Sequence, residues 1–444
     1  MSKKNKQTDK NIIILGAGFG GLRTALLSAK NIPLTRGYAI HLIDREAHHL
    51  YTPLLYEVAS GYFHEEMRDC EGLLKSGVCV EIENLHYLLR KQAVIFHHAG
   101  VTNVDLVRRR VTLTNGEKLS YEYLVIVLGS ETEFYGIPGL AERAMTLKSA
   151  SDALRIRQTM RQLVYGRHRR SPLKIVVGGG GATGVEFAAE LSSCLKGLCA
   201  TRHLPEHSYE ITLIEGGPRI LSALPPKVSA WAVARLNKLG VRMLNNTLIT
   251  GVAKNSLTLA ARPPKPGEKP AGSSVKARPQ PSSQLGYDLL VWAGGIRGNS
   301  FLSTIKGLPL TNKNMIEVDD RLRVKSWRNV FALGDNALLL DPRSKRAVPA
   351  LAQAAAKEAD IAVKNIVALI TKRPLARYQF VNYPTVVPLG GKYAVAKIGP
   401  LKLKGFVVYF LRKIADLKYF LSILPLYPAL KIWWHGARVY IKND

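Results

Sequence analysis

Residues 11–15, Asn-Ile-Ile-Ile-Leu, form an apolar run without polar alternation. That is the pattern of a short strand buried on both faces of a parallel sheet. A glycine-rich turn follows, then a helical stretch, then YAIHLID, a second apolar strand that ends in Asp44. The succession recurs further along. Lys174–Val177 reads as a strand, GGGATG as a turn, the residues through Glu186 and Glu190 as a helix, and YEITLIE as a strand closing at Glu215. Between the two, residues 101–128 read as a small meander around an Asn115-Gly116 turn, and 149–165 as a helix. Beyond them, RNVFALGDNALL at 328–339 reads as a short strand ending in Gly334 and Asp335, and 349–370 as a long Ala-rich helix. Residues 262–284 are Pro-rich and lack aromatics, the composition of a disordered loop between two strands.

The glycines sharpen this pattern. Gly16, Gly18 and Gly21 match G-x-G-x-x-G, and so do Gly179, Gly181 and Gly184. In that spacing the glycines allow a tight turn and the close approach of a pyrophosphate, while the helix start offers amide donors and a positive dipole. The acid at the end of the next strand accepts hydrogen bonds from a ribose diol. Strand, turn, helix, strand and acid in order make the signal far more specific than the glycines alone. The predicted fold is α/β, with two Rossmann-like dinucleotide-binding domains, the second inserted into a discontinuous first. Two such domains imply two dinucleotides, one usually a tightly bound flavin and the other a visiting nicotinamide, since hydride transfer needs two flat rings in contact. Glu215 would repel a ribose phosphate and so favours NADH over NADPH, with the nearby Arg219 leaving that choice open.

Composition adds two facts. The net charge of +30 favours polyanions, either nucleic acid or an anionic membrane surface, yet no nucleic-acid recognition module is evident. The four cysteines, Cys70, Cys79, Cys194 and Cys199, form no CxxC pair and read as reduced thiols of a reducing compartment. No charge-free run reaches the ~18 residues of a spanning helix. The basic-then-apolar start imitates a signal peptide, but its glycine spacing and helical continuation argue against cleavage.

The chain resembles the type II NADH dehydrogenases, single-subunit NADH:quinone oxidoreductases of respiratory membranes. The resemblance rests on GAGFGGL at 16–22, HLYTPLLYEVASG at 49–61, FYGIPGLAERAMTLK at 134–148, GGGATGVEFAAEL, VWAGGIRGN, NVFALGD and ALAQAAAKEA. It implies that Gly16, Gly18, Gly21 and Asp44 hold the adenosine-pyrophosphate half of a non-covalent FAD and that Gly334 and Asp335 meet its other end. Thr52, Pro53 and Leu54 would lie by the isoalloxazine. Gly179, Gly181, Gly184 and Glu215 would hold NADH, and Glu186 and Gln353 would lie near flavin and quinone. Lys357 stands where the family often has a second Gln, which puts the quinone pocket's charge in question. From the residues alone Glu186 stays open, because a helix dipole favours an acid in the first turn without any catalysis.

The implied layout is residues 1–148 and 298–384 for FAD, 149–297 for NADH and 385–444 for membrane association. From 385 onward there are ten Lys/Arg, two acids and many aromatics. Lys431, His435, Arg438 and Lys442 recur at helical spacing, with Trp433, Trp434 and Tyr440 between them, and Pro425 and Pro428 break the segment in two. This is the pattern of amphipathic helices lying on an anionic bilayer, although a basic-faced dimer helix pair has the same pattern. The expectation is a flavoenzyme, a homodimer on the cytoplasmic face of the membrane, that passes two electrons from NADH to menaquinone or ubiquinone without pumping protons. The competing readings are sulfide:quinone oxidation and a nucleic-acid-binding NADH sensor.

Overall fold

The computed structural model describes residues 10–32, 36–61, 78–81, 94–165, 172–201, 205, 208–263 and 283–441. Two five-stranded parallel sheets organise it. The first has the order Val330–Ala332, Tyr123–Ile126, Asn11–Leu15, Ala39–Asp44, Val94–His98. The second has the order Met145–Thr146, Leu289–Trp292, Leu173–Gly178, Tyr209–Ile214, Val241–Leu244. In each, the central strand runs into a glycine turn and the acid-bearing strand lies beside it. The unbroken apolar runs have their explanation here, since Ile12, Ile13, Ile14 and Leu15 are all fully buried between helical layers.

Helix Phe19–Asn31 follows the first turn and Ala182–Thr201 the second. Helix Ala352–Ile370, in which Ala354, Ala355, Ala359 and Ala362 are buried, packs against Phe19–Asn31, and Arg23 pairs with Asp360 at 2.9 Å on the rim. Three antiparallel three-stranded sheets and three two-stranded ones make up the other sheets among the described residues. One of them, Val101–Asp105, Arg110–Leu113 and Lys118–Ser120, is the expected meander. Tyr123–Ile126, however, leaves the meander and enters the first parallel sheet, because its four residues are all buried. Strands Ser256–Ala261 and Ser283–Gly286 pair as neighbours, and most of the Pro-rich loop between them lies outside the described residues.

The end of the chain differs from its sequence reading in two respects. Residues 385–405 form a three-stranded antiparallel sheet rather than part of an amphipathic tail. It docks on helix Pro226–Lys238, where Arg235 donates to Leu389 O at 3.1 Å and Gly390 O at 2.6 Å. Two helices follow, Phe406–Ile423 and Leu426–Ile441. The break falls at Pro425 alone. Pro428 is the third residue of the last helix, where its missing N–H would have had no partner in any case.

Candidate active site

The two glycine turns are built alike. Gly16 has φ 101° and Gly179 φ 107°, the left-handed side that glycine adopts without strain. A Cβ at Gly16 would strike Val127 O, and one at Gly179 would strike Ala293 O. Gly21 and Gly184 each bring the following helix against the carbonyl of the first glycine of their turn, so close that no side chain fits. Gly18 and Gly181, by contrast, point into open space.

The acids close both turns. Asp44 Oδ2 accepts from Ala17 N at 2.5 Å and Oδ1 from Glu46 N at 2.9 Å. Glu215 Oε2 accepts from Gly180 N at 2.6 Å and Oε1 from Gly217 N at 2.6 Å. Each carboxylate keeps lone pairs for a ribose hydroxyl. Helix Phe19–Asn31 starts at Gly18 without a side-chain cap, and neither it nor Ala182–Thr201 has an acid in its first turn. Unclaimed amides, a favourable dipole and open space above the middle glycine fit a pyrophosphate at both places. Arg219 spends its guanidinium on Leu221 O at 3.3 Å and Ser222 O at 2.8 Å.

Asp335 lies where the first sheet regains its last strand. Its Oδ2 accepts from Ser130 Oγ at 3.0 Å, and Lys148 Nζ donates to the same hydroxyl at 2.9 Å. Gly334 N donates to Glu358 Oε2 at 2.6 Å. Glu358 is buried, and burial, reinforced by Asp335, pushes its carboxyl up to about 7 against the opposing hydrogen bond from Gly334.

Thr52, Pro53 and Leu54 form one turn of 3-10 helix leading into the buried helix Leu55–Ser60. Thr52 is exposed, and Leu54 is buried beside a small cavity lined also by Lys413, Asp416, Phe420 and Trp433. The C-terminal helix Phe406–Ile423 seals this segment with charges turned inward. Lys413 Nζ donates to Glu57 Oε1 at 3.1 Å, and Tyr56 Oη donates to the same oxygen at 2.9 Å. Tyr51 Oη donates to Asp416 Oδ1 at 2.6 Å, and Arg412 pairs with the same carboxylate. Glu57 Oε2 is buried with no hydrogen-bond partner among the described residues, and burial pushes that carboxyl up while Lys413 opposes it. Tyr419 and His49 connect the same helix to the first turn. His49 Nδ1 donates to Ala17 O at 2.9 Å, so its Nε2 accepts from Tyr419 Oη at 2.5 Å. Burial pushes His49 down to about 4, so it is neutral at pH 7.

Glu186 faces this cluster. It is the fifth residue of its helix, past the first turn, so the dipole explanation that needs no catalysis loses force. Burial pushes its carboxyl up to about 8, opposed by Arg412 and reinforced by Glu57. Gln353 is exposed at the second position of helix Ala352–Ile370. Lys357 Nζ donates to Gln379 O at 2.8 Å and lies over the Tyr378 ring at 5.4 Å. No hydrogen bond or ion pair among the described residues joins Gln353 or Lys357 to Glu186. Glu57, Tyr51, Arg412, Lys413 and Asp416 were absent from the sequence candidates. Their one sequence signal was charge repeating along an otherwise apolar helix, at 412, 413 and 416.

Comparison with known proteins decides the family. The model for the pyridine nucleotide-disulphide oxidoreductases matches residues 10–359. The chain belongs to that family. It is an oxidoreductase. It is similar to the type II NADH:quinone oxidoreductase of Haemophilus influenzae, at 28% identity over 90% of this chain and 91% of that one. It is similar also to the Staphylococcus aureus protein of the same name, at 26% identity over 92% and 95%. Among solved structures its fold matches NDH2 of Plasmodium falciparum in complex with NADH, with TM-score 0.79, 21% identity and 98% of both chains covered. The sulfide:quinone oxidoreductase of Aquifex aeolicus matches with TM-score 0.73 and 18% identity over 97% of this chain and 92% of that one. The cysteines Cys79, Cys194 and Cys199 are buried.

Proposed function

We propose that the protein is a non-pumping NADH:quinone oxidoreductase of a respiratory chain, with FAD in the first cradle and NADH in the second. The observation that carries this is the repeated construction of the two turns, Ala17 on Asp44 and Gly180 on Glu215, in one chain. The curated relatives support the choice of quinone as acceptor. Residues 1–148 and 298–384 make the FAD lobe and 149–297 the NADH lobe.

When bound, FAD supplies the two-electron exchange between nicotinamide and quinone. The chain's own residues place the reactants. Gly16, Gly18, Gly21 and Asp44 hold the adenosine end, and Gly334 and Asp335 the ribityl end. The turn Thr52–Leu54 flanks the ring system. Gly179, Gly181, Gly184 and Glu215 seat NADH. Glu186, with its carboxyl held near neutrality, keeps a proton available where the quinone oxygen is reduced, and Gln353 orients the quinone. Lys357 acts through the 372–384 connection rather than on the quinone, because its ammonium is engaged by Gln379 O.

The C-terminal region meets an anionic membrane surface from the cytoplasmic side through its two helices, Phe406–Ile423 and Leu426–Ile441. Its first helix is inside out. Lys413 and Asp416 are buried, while Phe406 is 61%, Val407 68% and Phe410 52% exposed. Leu426, Tyr427 and Trp434 continue the apolar face on the second helix. No helix of the described residues is long and apolar enough to cross a membrane. An anaerobic titration tests the reading. NADH should bleach a yellow protein, and a short-chain menaquinone or ubiquinone should restore the colour. A colourless protein, or one that NADH leaves oxidised, rules it out.

A further inference from the structure

Tyr135 is exposed yet held on every side. Its φ of 54° is uncommon for a bulky residue, and such strain persists only where the surroundings enforce it. Here they do. Glu133 Oε1 accepts from its amide at 2.8 Å, and its own Oη donates to Gly294 O at 3.2 Å. Its ring stands edge-on to Trp292 at 6.5 Å, and Trp292 Nε1 donates to Glu133 O at 2.8 Å. A Cβ at Gly295 would occupy the place of the Tyr135 hydroxyl. Antiparallel pairing of Ser130–Thr132 with Ile296–Gly298 fixes the whole segment. The ring nevertheless stays open to solvent, with the residue 54% exposed.

Its position explains why a ring would be held out in this way. Residues 293–295 follow strand Leu289–Trp292 and form the wall against which Gly179 turns. In the second sheet the order is Leu289–Trp292, Leu173–Gly178, Tyr209–Ile214. With the pyrophosphate over the central strand's turn and the adenosine ribose on Glu215 at the end of Tyr209–Ile214, the other nucleoside half must extend over Leu289–Trp292. That is where Tyr135 stands.

We propose that Tyr135 is a preorganised aromatic platform on which the nicotinamide nucleoside of NADH packs. The assignment rests on the functional reading above and deepens it. A ring already locked in place loses little freedom on binding, and stacking on a flat base is worth about tenfold or more in affinity.

The test is equilibrium binding of NADH and of ADP-ribose, which lacks the nicotinamide ring, to the anaerobic flavin-loaded full chain. NADH binding is read as the dissociation constant from the saturation of the stopped-flow flavin-bleaching rate with NADH concentration, and ADP-ribose binding by calorimetry. Tyr135→Phe, Tyr135→Leu and Tyr135→Ala are compared with wild type, with retained flavin as the check of folding. The expected result is NADH binding weakened about tenfold in the Leu and Ala variants and within about threefold of wild type in the Phe variant, with ADP-ribose unchanged throughout. Equal loss for NADH and ADP-ribose, or no loss for either, overturns the platform while leaving the enzyme reading intact. A wild type that binds neither nucleotide overturns the enzyme reading, and the platform with it.

Discussion

Lys413 Nζ lies 3.1 Å from Glu57 Oε1, both side chains less than a tenth exposed, across 356 positions of sequence. The contact joins the C-terminal helix to the segment that carries Thr52, Pro53 and Leu54. Removing one partner of a buried ion pair costs about 3–5 kcal/mol, whereas removing both charges together costs far less. Lys413→Met should therefore lower stability by about 3 kcal/mol in urea melts. The loss should be larger at pH 8 than at pH 5, because the stranded Glu57 protonates more easily in acid. Lys413→Met with Glu57→Gln should recover most of it. A single variant as stable as wild type at both pH values would show that the pair is incidental.

The carboxyl of Glu186 is raised from 4.5 to about 8 in the folded state. Between those values the folded chain holds a proton that the unfolded chain has released, so this group makes stability fall as pH rises from about 5 to 8. Below that window its contribution is fully present. Glu186→Gln should flatten the fall by up to roughly 1.4 kcal/mol per pH unit. Chemical denaturation at pH 5, 6.5 and 8 measures it. Parallel curves for variant and wild type would place the Glu186 carboxyl in ordinary solvent.

Glu215, and not Arg219, should set the nucleotide preference. A ribose phosphate meets the Glu215 carboxylate, and Arg219 is committed to two backbone carbonyls. Glu215→Gln should narrow the kcat/KM gap between NADH and NADPH by about tenfold, the removal of one like-charge contact. Arg219→Ala should leave that ratio unchanged. A loss of NADPH use in the arginine variant would mean that the guanidinium reaches the phosphate after all.

Glu358 fixes the amide of Gly334, beside Asp335. Glu358→Ala leaves that amide without its acceptor, a cost of about 1–3 kcal/mol that falls directly on flavin retention. Glu358→Gln retains an acceptor oxygen. The ratio of flavin to protein absorbance after dialysis should drop in the Ala variant and hold in the Gln variant. Equal retention in both would remove Glu358 from the cofactor's support.

The outward apolar face of the last two helices predicts a graded loss of vesicle binding. Replacing Phe406, Val407, Phe410 and Trp434 together by Ser removes exposed apolar surface and leaves the Lys413 and Asp416 contacts intact. Co-sedimentation with anionic vesicles should fall at least tenfold, with short-chain quinone reduction retained. Undiminished sedimentation would shift the attachment to the basic surface alone.

The two cradles were legible because backbone geometry dictates them. Only glycine fits at Gly16 and Gly179, and an acid must end the neighbouring strand to hold the turn. Tyr123–Ile126 was misplaced because its pairing partners, at 12–15 and 330–332, lie far away in sequence. The sheet at 385–405 was missed for a different reason. Its basic residues, such as Lys397, Lys402 and Lys404, read as part of a charged tail, while the alternation of LKLKG marks a half-exposed strand beside the buried Ala394, Val395 and Ala396. The Tyr51, Glu57, Lys413 and Asp416 cluster had no local signature beyond the charges at 412, 413 and 416. Each residue is unremarkable in its own segment and acquires meaning only when helix Phe406–Ile423 lands on helix Leu55–Ser60.

The strand Val330–Ala332 covers the flank of Tyr123–Ile126, and it is made about 200 residues later. At roughly 5–20 residues per second, a nascent chain waits some 10–40 s with a raw, apolar β edge on show. Throughout that interval the ribosome carries a half-built sheet that any neighbouring strand could extend. Synthesis halted before residue 332 should therefore yield sticky fragments, and the cell's demand for chaperones should peak in the middle of translation rather than at its end.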